Sequence, residues 1–142
     1  FENIIRIMKV IIIVPARWKS SRFPGKPLAL INKITMLERV YQQALKSKEA
    51  DAVYVATDNI KILNFCKIKK IKIIMTSTKC KTGTDRVYEV SKKVNSDIYV
   101  NLQGDEPLIN PRNVEKIIHN LKKNPSIYIV HITVIFIIKI FP

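Results

Sequence analysis

Five consecutive apolar, β-branched residues, Val10 to Val14, run without a polar break into Pro15. A half-solvated strand alternates polar and apolar side chains, so an unbroken run marks a strand covered on both faces, as in a parallel sheet. Such a strand needs helices on its faces and crossover connections, which restricts the chain to an α/β layout. Directly after it come Arg17, Lys19, Arg22 and Lys26, set among Ser20, Ser21, Pro24, Gly25 and Pro27. The prolines stiffen this loop and the glycine opens it once. Cations, hydroxyls and backbone N–H groups at the carboxyl end of a buried strand suit a polyphosphate, because ligands of open α/β sheets sit there. The competing reading is a solvated basic loop. Two arginines at this spacing count against it, since planar guanidinium forks suit bidentate phosphate contacts.

Strand and helix signals alternate along the rest of the chain. Thr35, with Glu38 three residues on, has the pattern of a capping box, and Met36, Leu37, Val40, Tyr41, Ala44 and Leu45 form the apolar stripe of the helix it opens. Ala52 to Ala56 reads as a second strand ending in Thr57 and Asp58, with Asp58 placed to cap a short helix carrying Ile60, Leu63 and Cys66. Ile71 to Met75 reads as a third strand. The polar loop Thr76 to Thr84 then leads into a helix begun by Asp85 and Arg86, with Val87, Val90 and Val94 inward. Hydroxyls and Gly83 before a helix start fit either a capping turn or a surface for base and ribose. Ile98 to Leu102 is the fourth strand, and it runs into Gln103, Gly104, Asp105, Glu106 and Pro107. An aspartate just past a buried strand, beside a glycine that lets a ligand approach, is a common way to offer a carboxylate to magnesium; an ordinary Gly-Asp turn is the alternative. Asn110 and Pro111 open a last helix with Val114, Ile117, Ile118 and Leu121 inward and His119 off the stripe.

Ile127 to Phe141 is almost unbroken apolar sequence containing His131 and Lys139. It is shorter than the roughly 20 residues that span a bilayer, and its β-branched content predicts one long strand rather than a membrane helix. A chain ending on such a strand lacks a partner for it, which points to truncation. The 142 residues suffice for one core. The net charge of +14 implies attraction to polyanions. The lysines, however, are spread through every segment, so charge alone does not mark a nucleic-acid surface. Cys66 and Cys80 have no metal-ligand spacing, which argues against zinc and a disulfide framework and for a reducing, cytoplasmic setting. Cys66 reads as a core residue and Cys80 as a free thiol. Met8 directly precedes the first strand, so residues 8–142 read as the folded unit and Phe1 to Ile7 as an upstream extension.

The stretches IIIVPARWKSSRFPGKPL, VYVATD, IIMTSTKCKTGTDRVYEV and VNLQGDEPLI, in this order, resemble the 3-deoxy-manno-octulosonate (KDO) cytidylyltransferase family, also called CMP-KDO synthetases. The resemblance covers most of Val10 to Ile118. It implies a Rossmann-like, doubly wound, mostly parallel sheet of the nucleotide-diphospho-sugar transferase type. The implied activity is transfer of CMP from CTP to KDO with release of pyrophosphate, for lipopolysaccharide synthesis, with magnesium as cofactor. Carried onto this chain, the resemblance makes Arg17, Arg22 and Lys26 the phosphate-binding loop, with Pro15 and Ala16 as its backbone approach to the nucleotide. It makes Asp105 the magnesium ligand and sets Gln103 in the same motif, with Thr84 and Arg86 in a second nucleotide-side motif; Arg17, Lys26 and Asp105 are the catalytic candidates. Family members are longer and homodimeric, and their second half supplies the sugar-acid pocket and a further magnesium carboxylate. The chain therefore reads as a nucleotide-binding fragment of reduced or no activity. Two glycines usual in the family, one after Ile31 and Asn32 and one before the third strand, are missing. The rival readings are a cytidylyltransferase for another sugar acid such as sialic acid, and a basic nucleic-acid-binding protein. The second lacks aromatic residues for base stacking on an exposed strand. Neither nucleic acid nor membrane insertion is expected.

Overall fold

In the computed structural model, residues 7–124, 129–132 and 135–139 are described, with side chains from 7 to 124. Most of the Phe1 to Ile7 extension and parts of the Ile127 to Phe141 run lie outside them. The apolar run Val10–Pro15 forms β1, and Val10 to Val14 are fully buried. β1 pairs in parallel with Ala52–Thr57 (β4) on one edge and with Ile98–Leu102 (β6) on the other. Between β1 and β4 lie a short hairpin, Leu30–Ile31 (β2) with Ile34–Thr35 (β3), and helix α1, Met36–Leu45. Helix α2, Ile60–Ile68, leads to the edge strand β5, Ile73–Met75, which is parallel to β4. Helix α3, Gly83–Lys93, then crosses back to β6, and helix α4, Pro111–Lys123, follows.

The expected α/β sheet is present, and its far side differs from one long terminal strand. Ile129–Ile132 (β7) and Ile135–Lys139 (β8) form an antiparallel pair, with β8 against β6, giving the order β5-β4-β1-β6-β8-β7. β-branched and other apolar residues dominate both strands, so composition alone gave no sign that the run is divided into two. No helix among the described residues is long and apolar enough to cross a membrane.

Helices cover both faces of the sheet. Leu37, Val40 and Ala44 of α1, Ile62 and Cys66 of α2, and Val114, Ile118 and Leu121 of α4 pack on one face. Val87 and Val90 of α3 meet Ile11, Ile13 and Tyr99 on the other. Leu45, expected in the buried stripe of α1, is 56% exposed, and Val94, expected inward, is only half-buried. Leu45 is the last residue of α1 and Val94 the C-cap of α3, so both stand at helix ends.

Both missing glycines correspond to strained backbone. Asn32 and Lys33, at the tip of the β2–β3 hairpin, have φ of 48° and 66°. Two residues of positive φ are what a type I′ turn requires, and asparagine tolerates this conformation better than lysine does. Lys70, with φ of 56°, ends α2. There the Lys70 N–H donates to the Lys67 carbonyl at 3.2 Å and the Ile71 N–H to the Cys66 carbonyl at 2.8 Å, a Schellman motif whose left-handed position is normally glycine. A side chain there costs roughly 1–2 kcal/mol, against about 0.5–1 kcal/mol of extra chain entropy for glycine. Lys70→Gly should therefore stabilise the fold by about 0.5–1 kcal/mol, read as a thermal midpoint a few degrees higher. An unchanged or lower midpoint would contradict the strain.

Candidate functional site

The sheet order changes direction beside β1: the chain moves from β1 outward through β4 and β5, then returns through α3 to β6 on the other side. Open α/β sheets bind ligands at such a point, outside the carboxyl ends of the strands. A cleft of about 500 Å³ lies there. Pro15, Arg17, Lys19, Ser20 and Lys26 line it from the β1 loop, Asn101, Gln103, Gly104 and Asp105 from the end of β6, and Thr82, Gly83 and Thr84 from the start of α3.

The first loop is pinned where it leaves the sheet. The Ala16 N–H donates to the Ala56 carbonyl at 2.9 Å, and the buried Thr57 hydroxyl donates to the Ala16 carbonyl at 2.6 Å. Further out, the Gly25 N–H donates to the Trp18 carbonyl at 2.9 Å, closing the loop on itself. Gly25 has φ of 73°, and a Cβ there would lie 3.0 Å from the Trp18 indole, so both conformation and space call for glycine. Lys61 Nζ stands 4.6 Å over the indole, a cation–π contact from α2. A 3₁₀ turn, Lys26–Leu28, follows, with Pro27 inside it. Lys26 is thereby held so that its Nζ lies 3.4 Å from Asp105 Oδ2, at the far side of the cleft. The two side chains are 42% and 49% exposed. Such a pair is worth only about 0–1 kcal/mol, so an incoming charged ligand can rearrange it.

Gly104 has a different use from the one its sequence position suggests. A Cβ on it would lie 2.7 Å from the Pro15 carbonyl oxygen, so its lack of a side chain lets the β1 and β6 ends come together. That approach sets where Asp105 stands.

The second polar loop is ordered by its own side chains. Thr82 Oγ1 accepts from the Asp85 N–H at 3.1 Å, and Asp85 Oδ2 accepts from the N–H groups of Thr82 and Lys81 at 2.9 and 3.0 Å, a reciprocal capping box. These bonds, the Thr82 N–H first among them, hold the Asp85 carboxyl below the usual carboxylate range. Glu89 takes the Ser77 N–H at 2.9 Å, the Cys80 thiol at 3.2 Å and Lys93 Nζ at 3.2 Å, and its acidity is strengthened in the same way. Burial and then the Glu89 hydrogen bond push the Cys80 thiol up, so it serves as a donor rather than a nucleophile. Cys66 is pushed up to about 11 by burial. Arg17 ties the two loops together: its Nη1 donates to the Lys81 carbonyl at 2.8 Å.

Of the residues singled out from sequence, Pro15, Arg17, Lys26, Thr84, Gln103 and Asp105 meet around this cleft. Ala16 is buried behind it. Arg22 stands over a neighbouring depression with Ser21 and Phe23, which shares Lys26 with the cleft. Arg86 is 1% exposed; its Nη2 pairs with Asp58 Oδ2 at 2.9 Å and its Nη1 donates to Thr76 Oγ1 at 2.7 Å. Asp58, expected to cap α2, is thus the counter-ion of Arg86. The cap is Asn59, whose Oδ1 accepts from the N–H of Lys61 at 2.8 Å. Sequence reasoning missed Asn101, although a lone amide within the buried strand Ile98–Leu102 was a visible signal. No cluster of three or more histidine, cysteine or acidic residues able to hold a metal occurs among the described residues.

Residues 11–137 match the family described as Cytidylyltransferase. The chain is 44% identical over 119 residues to the 3-deoxy-manno-octulosonate cytidylyltransferase of Escherichia coli, covering 84% of this chain and 48% of that protein. It is 43% identical over 122 residues to the 8-amino-3,8-dideoxy-manno-octulosonate cytidylyltransferase of Shewanella frigidimarina, covering 84% and 50%. Among solved structures, CMP:2-keto-3-deoxy-manno-octonic acid synthetase complexed with CTP superposes with a TM-score of 0.83 at 43% identity, over 85% of this chain and 50% of that one. The chain spans about half the length of the curated relatives it matches.

The close approach at Gly104 has a measurable consequence. Gly104→Ala should destabilise the fold by about 1–3 kcal/mol, since backbone must move to admit the methyl group. Gly83→Ala, whose Cβ would meet neighbours no nearer than 3.4 Å, should stay within about 0.5 kcal/mol of the parent. Urea unfolding compares the two. A Gly104→Ala midpoint equal to the parent's would mean the strand ends are not in contact.

Proposed function

Starting from the premise that this chain belongs to the cytidylyltransferase family, we propose that it is the nucleotide-binding half of an enzyme that transfers CMP from CTP to KDO and releases pyrophosphate, in lipopolysaccharide synthesis. The observation that carries this reading is the facing of Lys26 and Asp105 at 3.4 Å across the mouth of a cleft at the sheet's switch point. A cation and a carboxylate on opposite lips suit a ligand that is itself anionic and brings a metal ion with it.

The residues present fit magnesium in that form. Asp105 offers hard oxygen ligands on a half-exposed side chain, and magnesium is commonly held by one or two carboxylates together with substrate phosphates rather than by a protein cage. When bound, magnesium would neutralise charge on the polyphosphate. Arg17, Lys19 and Lys26 act on the same charge from the chain itself: negative charge that grows on a pyrophosphate leaving group is stabilised by fixed cations nearby. Arg22, at the adjoining depression, is assigned to the outer end of the polyphosphate. Pro15 and Ala16, pinned to β4, form a rigid wall against which a nucleotide is oriented, and Thr84 and Gln103 add polar contacts. Arg86 contributes by fixing the first turns of α3 through its buried pair with Asp58. Positioning and charge therefore carry the reaction, with little covalent work for side chains.

KDO is the assigned acceptor because the Escherichia coli relative carries that name. The Shewanella relative, named for the 8-amino sugar acid, supports that analogue as the second reading. The activity belongs in the cytoplasm, in keeping with two cysteines that are free thiols. Nucleic acid is not the assigned partner, since the lysines are scattered and the cations of the cleft face a carboxylate.

Calorimetric titration of this chain with CTP, UTP, ATP and GTP tests the reading, at salt high enough to suppress non-specific attraction. CTP should bind most tightly, and magnesium should strengthen its binding. Asp105→Ala should remove the magnesium effect, and Arg17→Ala or Lys26→Ala should weaken CTP by about tenfold or more, the scale of a lost charged hydrogen bond. Equal or absent binding of all four nucleotides would overturn the assignment.

A further inference from the structure

Lysines occur throughout the chain, but one group of them is packed closely and has no acidic neighbour in sequence. Lys67, Lys69, Lys70 and Lys72 fall within six residues, from the end of α2 to the approach of β5, and no acidic residue occurs between Asp58 and Asp85. All four are exposed. Lys69 Nζ lies 3.5 Å from Glu38 Oε2, and Lys72 Nζ stands 5.8 Å over the Tyr54 ring. Lys67 and Lys70 have no ion-pair partner among the described residues.

The helix that leads into this group has an apolar outer side. Ile62 and Cys66 of α2 are buried against the sheet. With about 3.6 residues per turn, the side opposite them carries Ile60, Asn64 and Ile68. Ile60 is 59% exposed and Ile68 79%, the latter set directly among the lysines. One exposed aliphatic residue is ordinary, but two on one helix face beside unpaired cations form a mixed surface. Lys70 adds an independent observation. It keeps a side chain at a left-handed φ of 56°, where glycine is less strained. Strain retained at a solvent-facing position is characteristic of a residue kept for function, here a cation at the tip of a turn.

We propose that the outer side of α2, with the turn that ends it, is a docking surface for an anionic phospholipid bilayer. Lysine ammonium groups meet headgroup phosphates, while their stems and the two isoleucines enter the boundary with the acyl chains. A nucleic-acid backbone would engage the lysines and leave the isoleucines unused, and no aromatic side chain stands on the stripe for base stacking. A second copy of the chain would set like charge against like. The contact is peripheral, since no helix among the described residues is long and apolar enough to cross a membrane. None of these residues lines the cleft, so the proposal is independent of what the cleft binds.

Cosedimentation of this chain with vesicles tests it, comparing phosphatidylcholine alone with an equal mixture of phosphatidylcholine and phosphatidylglycerol, beside a thermal melt. The chain should bind the mixed vesicles and scarcely bind phosphatidylcholine. Ile68→Ser should lower binding by about tenfold, the worth of burying one large aliphatic side chain. Lys70→Gly should lower it by about fivefold, the worth of one basic residue at an anionic surface, while raising the melting temperature, so lost binding cannot be lost fold. Lys92→Gln, on α3 across the sheet, should bind as the parent does. Parental binding by Ile68→Ser, or an equal loss in Lys92→Gln and Lys70→Gly, would reduce the effect to diffuse charge and overturn the proposal. Tighter binding to duplex DNA than to mixed vesicles at the same salt, weakened by Lys70→Gly, would assign the surface to nucleic acid and overturn it as well.

Discussion

The pairing of β1 on both edges, with helices over both faces, is the constraint from which the rest of this fold follows. Every backbone group of a strand so placed must bond within the sheet, so only its two ends can meet anything else. At the amino end the protein supplies the partners. The Val10 N–H donates to Asp51 Oδ2 and the Lys9 N–H to Asp97 Oδ2, both at 2.7 Å, where β4 and β6 begin. The carboxyl end is the one left open. There the chain departs through Pro15 on one side and Gly104 on the other, and the space between the two departing loops is the cleft.

The three segments around that space are held with unequal strength. The base of the first loop and the start of α3 are fixed by buried groups: Thr57 on the Ala16 carbonyl, and Arg86 on Asp58 and Thr76. Arg86 is buried and Asp58 is 21% exposed; a buried charge left without its partner is costly, so the contact resists small displacements. The lips, by contrast, touch through exposed contacts, Lys26 on Asp105 and Arg17 on the Lys81 carbonyl. A rigid floor with exchangeable lip contacts allows a charged ligand to displace the protein's own pairings while the geometry beneath it stays fixed.

What could be read from the sequence follows the same division. The buried strands β1 and β6, the Thr35 cap and the inward valines of α3 were legible because periodicity and capping are local rules. The strand-end loops were legible as sites because the fold rule places ligands there. Asp58 was misread as a cap because its partner, Arg86, lies 28 residues away in sequence. Asn59, next to it, satisfies the same capping rule, and nothing local ranks the two. The terminal apolar run was read as one strand because β-branched residues fill both members of what is an antiparallel pair. Arg17, Arg22 and Arg86 were all assigned to the nucleotide side, and only the packing separates a cleft residue from a neighbour and from a buried brace.

Charge is informative here only after it is placed. The net +14 of the chain suggests a surface for any polyanion. Within the cleft, however, the sides differ: cations stand on the β1 loop, the β6 end offers the Asp105 carboxylate, and the α3 side is lined by the uncharged Thr82, Gly83 and Thr84. A duplex backbone spreads its charge evenly, at about one charge per 1.7 Å, and would meet Asp105 as well as the lysines. A nucleoside triphosphate concentrates its charge at one end and carries a neutral, hydrogen-bonding ring at the other. Its polarity matches that of the cleft, and this match, more than the excess of lysine, is what supports the proposed nucleotide.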